Sequence, residues 1–182
     1  WNNGEWRNGD WTSGVWHGGV WHDGKWRGGA WRSGTWKNGT WDCGTWHGGV
    51  HLDGTWSTGV WMNGTWNGGE WHRGIWYNGA WRGGIWNNGT WYKGTWHDGV
   101  WLGGIWNGGV WHSGEWNGGD WISGEWKGGT WKEGRIKYDG DFVKSDVNPA
   151  EFYAARNKHA GKPVADPNHE WVKCGDSLPD DG

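Results

Sequence analysis

Hydrophobic and polar residues follow a five-residue pattern over most of the chain. Residues 1–135 form 27 consecutive units of the form W-x-x-G-x, with Gly at the fourth position of every unit. Trp holds the first position of every unit except one, where His51 replaces it. The fifth position of the unit, which precedes the next Trp, is Val, Ile or Thr in 17 of the 27 units. β-Branched residues favour extended backbone and a Gly in every unit disfavours a helix, so the pattern predicts short strands joined by tight turns.

The polarity of the residues beside Trp indicates which way the indoles point. Successive side chains of a strand lie on opposite faces, and the residue after Trp is mostly polar or charged, as at Arg7, His17 and Lys37. Burying that set would leave many charges without partners. We therefore predict that Trp faces inward and its neighbours face solvent. Gly shares the inward side of the strand, and its missing side chain would make room for the next indole.

The third position of the units suggests a coil length. It is Asn or Gly in 11 of the 13 even-numbered units but in only 4 of the 14 odd-numbered ones. Because both residues tolerate the left-handed conformation of turns, this alternation predicts a coil of ten residues or a multiple of ten. In steps of 20 residues, one column of third positions contains only Asn and Gly, from Asn8 to Gly128. We therefore favour a four-sided coil of about 20 residues over a two-sided coil of ten. Such a fold is an all-β solenoid, stabilised by contacts between neighbouring coils.

Read as G-x-W-x-x, as in Gly4-Glu5-Trp6-Arg7-Asn8, the repeats resemble the pentapeptide-repeat proteins. That resemblance implies a right-handed quadrilateral β-helix of 20 residues per coil, with Trp in place of the family's large inward residue and Gly in place of its small one. The unit also resembles the core of MORN repeats, which are much longer than five residues. A looser likeness connects such Trp- and Gly-rich chains to structural proteins of phages and cell surfaces.

The rhythm changes at Ile136, where a Trp would be expected. We divide the chain into a solenoid, 1–135, and a small α+β capping or anchoring segment, 136–182. Residues 136–147 predict two strands with a turn at Asp139-Gly140. A helix follows over 149–160, with Asn148 as its N-cap and Pro149 at its first position.

Within that segment, Phe152, Tyr153 and Ala155 are expected to lie over the last coil. The polar stretch 162–182 predicts a loop or tail, with Trp171 pinning part of it.

Composition and charge narrow the function classes. The net charge is −3 and residues 1–135 hold equal numbers of acidic and basic side chains, so we expect no nucleic-acid binding. No apolar stretch is long enough to span a bilayer. Cys43 and Cys174 lie far apart, and we favour free thiols over a bridge between them.

No residue cluster of the sequence predicts catalysis. The histidines that follow Trp are expected to face solvent without neighbours of their own kind in a 20-residue coil, so we predict no metal site, no cofactor and no enzyme. One surface stripe differs from ordinary solvated surface, because steps of 20 place aromatic and basic residues in a row that could contact sugar rings or another rod. The stripe consists of Arg32, Leu52, His72, Tyr92, His112 and Lys132.

These observations predict a non-enzymatic structural or adhesive rod, acting as a spacer, shaft or display surface in a virion fibre or on a cell exterior. Its partners would be other structural proteins or cell-surface polysaccharide. The sequence is also compatible with a homo-oligomer. One alternative is a polysaccharide-binding module that uses the stripe. Another is an intracellular, cytoplasmic interaction protein of the pentapeptide-repeat type.

Overall fold

A computed structural model describes residues 1–160 of the chain. The predicted tail 162–182, Trp171 and any bridge between Cys43 and Cys174 lie outside the described residues. Nearly all of the described backbone is β-structure, and a single helix follows it.

The repeats form 26 strands of two residues, each made of the Trp of a unit, or His51 in one case, and the residue before it. These strands, β1 to β26 in chain order, are Glu5–Trp6, Asp10–Trp11, Val15–Trp16, Val20–Trp21, Lys25–Trp26, Ala30–Trp31, Thr35–Trp36, Thr40–Trp41, Thr45–Trp46, Val50–His51, Thr55–Trp56, Val60–Trp61, Thr65–Trp66, Glu70–Trp71, Ile75–Trp76, Ala80–Trp81, Ile85–Trp86, Thr90–Trp91, Thr95–Trp96, Val100–Trp101, Ile105–Trp106, Val110–Trp111, Glu115–Trp116, Asp120–Trp121, Glu125–Trp126 and Thr130–Trp131. Two longer strands, β27 (Gly134–Tyr138) and β28 (Asp141–Ser145), and helix α1 (Pro149–Ala160) complete the described chain.

The strands form a solenoid with three sides. Every strand from β1 to β24 pairs in parallel with the third strand after it, so the first sheet runs β1-β4-β7 onward to β25 and the second runs β2-β5-β8 onward to β26. The third sheet runs from β3 through β24 to β27 and β28. Val20 pairs with Thr35 and Trp21 with Trp36, which fixes the coil at fifteen residues.

The predicted β-solenoid is confirmed, but the predicted coil of 20 residues with four sides is wrong, as is its alternative of ten. A coil of three units gives about nine turns over the repeats. With strands about 4.8 Å apart, the rod is on the order of 43 Å long.

Inward-facing indoles fill the solenoid in three columns. Every Trp from Trp16 to Trp121 is fully buried. Along a column the rings stack, as where Trp16 and Trp31 lie 5.1 Å apart at an interplanar angle of 6°. Around the coil they meet edge to face, as where Trp16 and Trp21 lie 6.1 Å apart at 78°. Both arrangements suit the aromatic quadrupole, so three indoles per turn fill a triangular cross-section.

Backbone hydrogen bonds join each coil to the next in a repeated pattern. The amide after Trp donates to the carbonyl of the Trp on the preceding coil, as Arg32 N does to Trp16 O at 2.7 Å. The amide before Trp donates to the carbonyl of a Gly, as Thr35 N does to Gly19 O at 2.9 Å. These two bonds per unit satisfy the main-chain groups that flank the buried indole.

The fourth-position glycines form the corners, and Gly69 shows why they are Gly. Its φ is 100°, a backbone conformation that L side chains rarely adopt. A Cβ placed there would lie 2.2 Å from the carbonyl oxygen of Gly54 on the preceding coil. The expectation that Gly makes room for an indole is therefore incomplete, because the atoms that leave no space are mainly backbone atoms of the neighbouring coil.

The C-terminal part of the described chain packs against the last coil. Ile136 takes the place of a Trp in the third sheet, opposite Trp121, and is fully buried. The predicted hairpin is present, with β27 and β28 antiparallel around Asp139 and Gly140. Phe152 is buried, whereas Ala155 is exposed, so the expectation that Ala155 lies over the last coil is wrong.

The predicted helix begins at Pro149. Asn148 caps it, since its Oδ1 accepts a hydrogen bond of 3.1 Å from the amide of Glu151. Tyr153 ties the helix to β27 through a hydrogen bond of 2.8 Å from its Oη to the carbonyl of Lys137.

Candidate functional site

The coil of fifteen residues redistributes the stripe predicted from steps of 20. Arg32 and Tyr92 follow Trp residues of the third sheet, Leu52 and His112 follow residues of the first, and His72 and Lys132 follow residues of the second. The six residues therefore wind around three sides of the rod instead of forming one row. A single contact surface made of all six is excluded by this geometry, although each position stays on the outside.

The true surface columns are read in steps of fifteen. The column of residues that follow Trp on the third sheet contains Asn2, His17, Arg32, His47, Met62, Tyr77, Tyr92, Asn107 and Ile122. The corresponding column of the first sheet contains Arg7, His22, Lys37, Leu52, Asn67, Arg82, His97, His112 and Lys127. That of the second contains Thr12, Arg27, Asp42, Ser57, His72, Asn87, Leu102, Asn117 and Lys132. In the column of the third sheet Tyr77 and Tyr92 adjoin, and in that of the first sheet the imidazoles of His97 and His112 adjoin.

The third sheet carries an exposed apolar patch at mid-rod. Tyr77 and Tyr92 lie on neighbouring coils with ring centroids 5.1 Å apart and planes inclined by 8°. Tyr77 is 41% exposed, Tyr92 42% and Met62, beside Tyr77, 39%. Because the two rings stack on each other, the remaining face of Tyr92 is directed along the rod toward the shorter side chain of Asn107.

A cavity opens on that side of Tyr92, at the corner between the third and first sheets. We call it the Tyr92 notch, a space of about 440 Å³ that crosses three coils. Its side-chain and corner positions include Tyr92, Lys93, Asn107, Gly108, Ser123 and Glu125. Sequence reasoning named Tyr92 but missed the other five, and the signal that would have found them is the spacing of fifteen residues between Tyr77, Tyr92 and Asn107.

Two histidines of the first sheet are vertical neighbours, contrary to the expectation from the 20-residue coil. The rings of His97 and His112 stack with centroids 5.2 Å apart. Partial burial lowers the pKa of His97, and the neighbouring His112 and Arg82 lower it further. Two imidazoles are fewer than the three or four ligands of an ordinary protein metal site. Across residues 1–160, no group of three or more His, Cys, Asp or Glu side chains converges in a way that could hold a metal ion.

Charged side chains pair between neighbouring coils, mainly on the second sheet. Arg27 donates to Asp10 at 2.7 Å, and Lys25 lies 3.3 Å from Asp42. On the third sheet, Arg135 lies 2.7 Å from Asp120. All of these pairs are at least partly exposed, so each contributes little to stability. Their arrangement leaves opposite charges next to each other and produces no broad field of one sign.

His51 is the one polar residue in the indole columns. It is fully buried, stacks on Trp66 at 3.7 Å and lies 6.0 Å from Trp36 on its other side. Burial lowers its pKa to about 3, and the carbonyl of Gly68 offsets only part of that effect. Neither ring nitrogen forms a hydrogen bond of ordinary geometry to the described residues. His51 is thus held neutral inside an aromatic environment and has no contact with solvent.

Cys43 lies at an exposed corner after the second sheet, and its Sγ donates to the carbonyl of Arg27. His47, which follows it in sequence, belongs to the third sheet. The structure places no hydrogen bond between the two side chains, so nothing within residues 1–160 orients His47 toward the thiol.

No protein-family model and no curated protein matches this sequence. Solved structures with a distant likeness include the polySia-specific acetyltransferase NeuO, which is 6% identical, with 88% of this chain and 96% of that chain covered at a TM-score of 0.17. The polysialic acid O-acetyltransferase OatWY is 9% identical, with 80% of this chain and 88% of that chain covered at a TM-score of 0.16.

A putative acetyltransferase from Desulfovibrio desulfuricans G20 is 8% identical, with 79% of this chain but only 35% of that chain covered at a TM-score of 0.15. Scores this low carry no argument about the fold or the activity of the present protein.

Proposed function

We propose that this protein is a structural rod, a spacer or display shaft of a virion fibre or a cell exterior. The observation that carries the proposal is the unbroken succession of stacked rings along three columns, as in Trp61, Trp76 and Trp91 at spacings of 4.7 Å. Such a core makes each coil depend on its neighbours, and the length of the rod then follows from the number of units.

The outer surface supports the same proposal. The residues that follow Trp differ from coil to coil, while the inward positions are nearly constant. A constant core with a variable exterior suits a shaft that holds side chains at fixed heights and angles. The likeness to pentapeptide-repeat proteins then concerns the five-residue unit and its inward residue, and does not extend to a four-sided coil.

The single helix within residues 1–160 lacks the length and hydrophobicity that crossing a bilayer requires. We infer that attachment to other structural proteins through the C-terminal segment holds the rod on the exterior.

The experiment that tests a spacer is a pair of deletions in the full chain, expressed in its native source. Removal of residues 56–100 takes out three complete coils and leaves every later residue on its own side of the rod. Removal of residues 56–95 takes out one unit fewer and moves every later residue to a different side.

Immunogold labelling in electron micrographs first locates the chain, and distances to a terminal tag are then measured by cryo-electron microscopy. A spacer is expected on the exterior, and the first deletion should shorten the projecting part by about 14 Å. A display shaft needs each later residue on its own side of the rod but does not need a fixed length. In that case only the second deletion will impair assembly, and the result favours display over spacing. A label confined to the cell interior, or an unchanged distance after both deletions, contradicts the proposal.

A further inference from the structure

The Tyr92 notch owes its shape to one missing side chain. In the corner column of the third sheet, Lys93 lies on one coil, Gly108 on the next and Ser123 on the one after. Some corners of this column carry side chains, such as Asn63 and Asn78, whereas Gly18 and Gly48 do not. Gly108 has no φ in the left-handed region, so the fold does not demand Gly at this corner. Its absent side chain is therefore what opens the floor of the notch.

A buried hydrogen bond holds that floor in place. The indole Nε1 of Trp91 donates to the carbonyl of Gly108 at 3.1 Å. The amide Nδ2 of Asn107 donates to the carbonyl of Trp91 at 3.0 Å, and Ser123 Oγ donates to the carbonyl of Asn107. These bonds tie the lining residues to the rod backbone, so the notch is formed before any ligand arrives.

The wall of the notch offers a flat aromatic surface with polar groups around it. Tyr92 presents one ring face to the notch while Tyr77 supports the other. Asn107 has used one of its two amide hydrogens, which leaves an acceptor oxygen and a second hydrogen for a ligand. Lys93 adds a donor and Glu125 an acceptor.

The charges of the lining select against an ionic ligand. Lys93 is cationic and Glu125 is anionic, so the notch is close to neutral. Glu125 also lies 3.7 Å from Lys127, which weakens its field further. A ligand with many hydroxyl groups and no net charge can use both a donor and an acceptor here without the cost of burying its own charge.

We propose that the Tyr92 notch binds a neutral pyranose unit of a polysaccharide. The C–H face of the sugar ring would lie on Tyr92, and its hydroxyl groups would contact Lys93, Asn107 and Glu125. This inference goes beyond the structural rod and does not depend on it, because a rod with an empty notch still spaces and displays.

The test measures binding of neutral oligosaccharides to the full chain by saturation-transfer NMR and titration calorimetry. The probes are hexasaccharides of glucose in α and β linkage, of xylose and of N-acetylglucosamine, with oligogalacturonate as the charged comparator. An open site of this size predicts a Kd on the order of 1 mM for at least one neutral probe.

Two variants test the notch, one by removing a side chain from its wall and one by adding a side chain to its floor. Tyr92→Ala removes the stacking surface, and Gly108→Asn fills the floor with a side chain that this corner column carries elsewhere. A Cβ at Gly108 would lie 3.1 Å from Ser123 Oγ, a hydroxyl that can rotate away if it gives up its hydrogen bond to the Asn107 carbonyl. The matched controls are Met62→Ala in the column of Tyr92, and Gly48→Asn in the column of Gly108, where a Cβ would meet nothing closer than 3.7 Å.

Both notch variants should weaken binding by about tenfold or more, and both controls should bind as the unchanged protein does. The proposal is overturned if no neutral probe binds at about 10 mM, if only oligogalacturonate binds, or if Tyr92→Ala and Gly108→Asn leave the affinity unchanged. None of these results alters the length of the rod, so they are separate from the outcome of the deletion experiment.

Discussion

Val50 pairs with Thr65 in a parallel ladder, fifteen residues further along the chain and one coil away. Glu70, which a coil of 20 residues would place beside Val50, instead lies on the second sheet, next to Thr55. This pairing decides which surface residues are neighbours throughout the rod. It therefore underlies the Tyr92 notch and every interpretation of the outer faces.

Engineered disulfides provide a direct check of the coil length. In a background of Cys43→Ser and Cys174→Ser, we expect Val50→Cys with Thr65→Cys to oxidise readily. Neighbouring strands about 4.8 Å apart lie within the Cα separation that a disulfide accepts. The bridge should stabilise the protein by about 3 kcal/mol, which chemical denaturation would measure.

The matched control for that bridge is Val50→Cys with Glu70→Cys. These residues lie on different sheets, so the pair should stay reduced under the same conditions. Oxidation of the second pair in preference to the first, as followed by thiol titration, would restore the coil of 20 residues.

The sequence predicts whether a side chain faces the core or solvent better than it predicts the number of sides of the coil. Inward Trp follows from strand alternation, and the N-cap at Asn148 follows from local chemistry; both are confirmed. The coil length depends on how sharply each corner bends and on how many indoles fill one layer. Neither quantity is visible in one unit, because every corner has the same Gly. Nothing in the structure explains the alternation of Asn and Gly at the third position.

The candidate site shows the same limit. Tyr92 could be identified as an exposed aromatic residue from the polarity pattern alone. Its neighbours Tyr77 and Asn107 could not, because they become adjacent only when the coil is fifteen residues long. An error of one unit in the coil moves every proposed contact to a different face of the rod.

Adjacent glycines at one corner should respond differently to the same substitution. Gly69→Ala places a Cβ 2.2 Å from the Gly54 carbonyl oxygen at a φ of 100°. Gly68→Ala has an ordinary φ, and its nearest atom is the Leu52 carbonyl oxygen at 3.4 Å. We expect Gly69→Ala to lower the free energy of unfolding by about 3 kcal/mol or more, and Gly68→Ala to change it by less than about 1 kcal/mol. Equal effects in urea denaturation would contradict the role assigned to the corner.

The cap of helix α1 gives a local prediction. Asn148→Ala removes the acceptor of the Glu151 amide, which should destabilise the helix by about 1 kcal/mol. Hydrogen exchange at that amide should become roughly fivefold faster, since such a free-energy change alters the opening equilibrium by about that factor. Asn148→Asp retains a capping oxygen and serves as the control. Unchanged exchange in Asn148→Ala would show that the helix is held by its packing alone.

His51 should make the rod sensitive to acid. Its pKa is 6.5 in the unfolded chain and about 3 in the folded one, where the aromatic rings around it include Trp36, Trp46, Trp61 and Trp66. Between these two pKa values, His51 is therefore protonated in the unfolded state and neutral in the folded state. The stability that neutral His51 permits is complete above pH 6.5 and is lost progressively as the pH falls toward about 3.

At pH 4.5 this one residue should cost roughly 3 kcal/mol relative to pH 7. His51→Trp removes the titrating group and completes the indole column, so the variant should be more stable at pH 7 by about 2 kcal/mol. It should also lose correspondingly less stability on acidification. Thermal or urea unfolding at both pH values measures the difference, with His17→Asn, a change at an exposed histidine, as the control. An equal loss of stability on acidification in His51→Trp and in the unchanged protein would mean that the acid sensitivity arises elsewhere, for example at surface carboxylates such as Glu115, whose pKa is lowered by its hydrogen bond from Lys132.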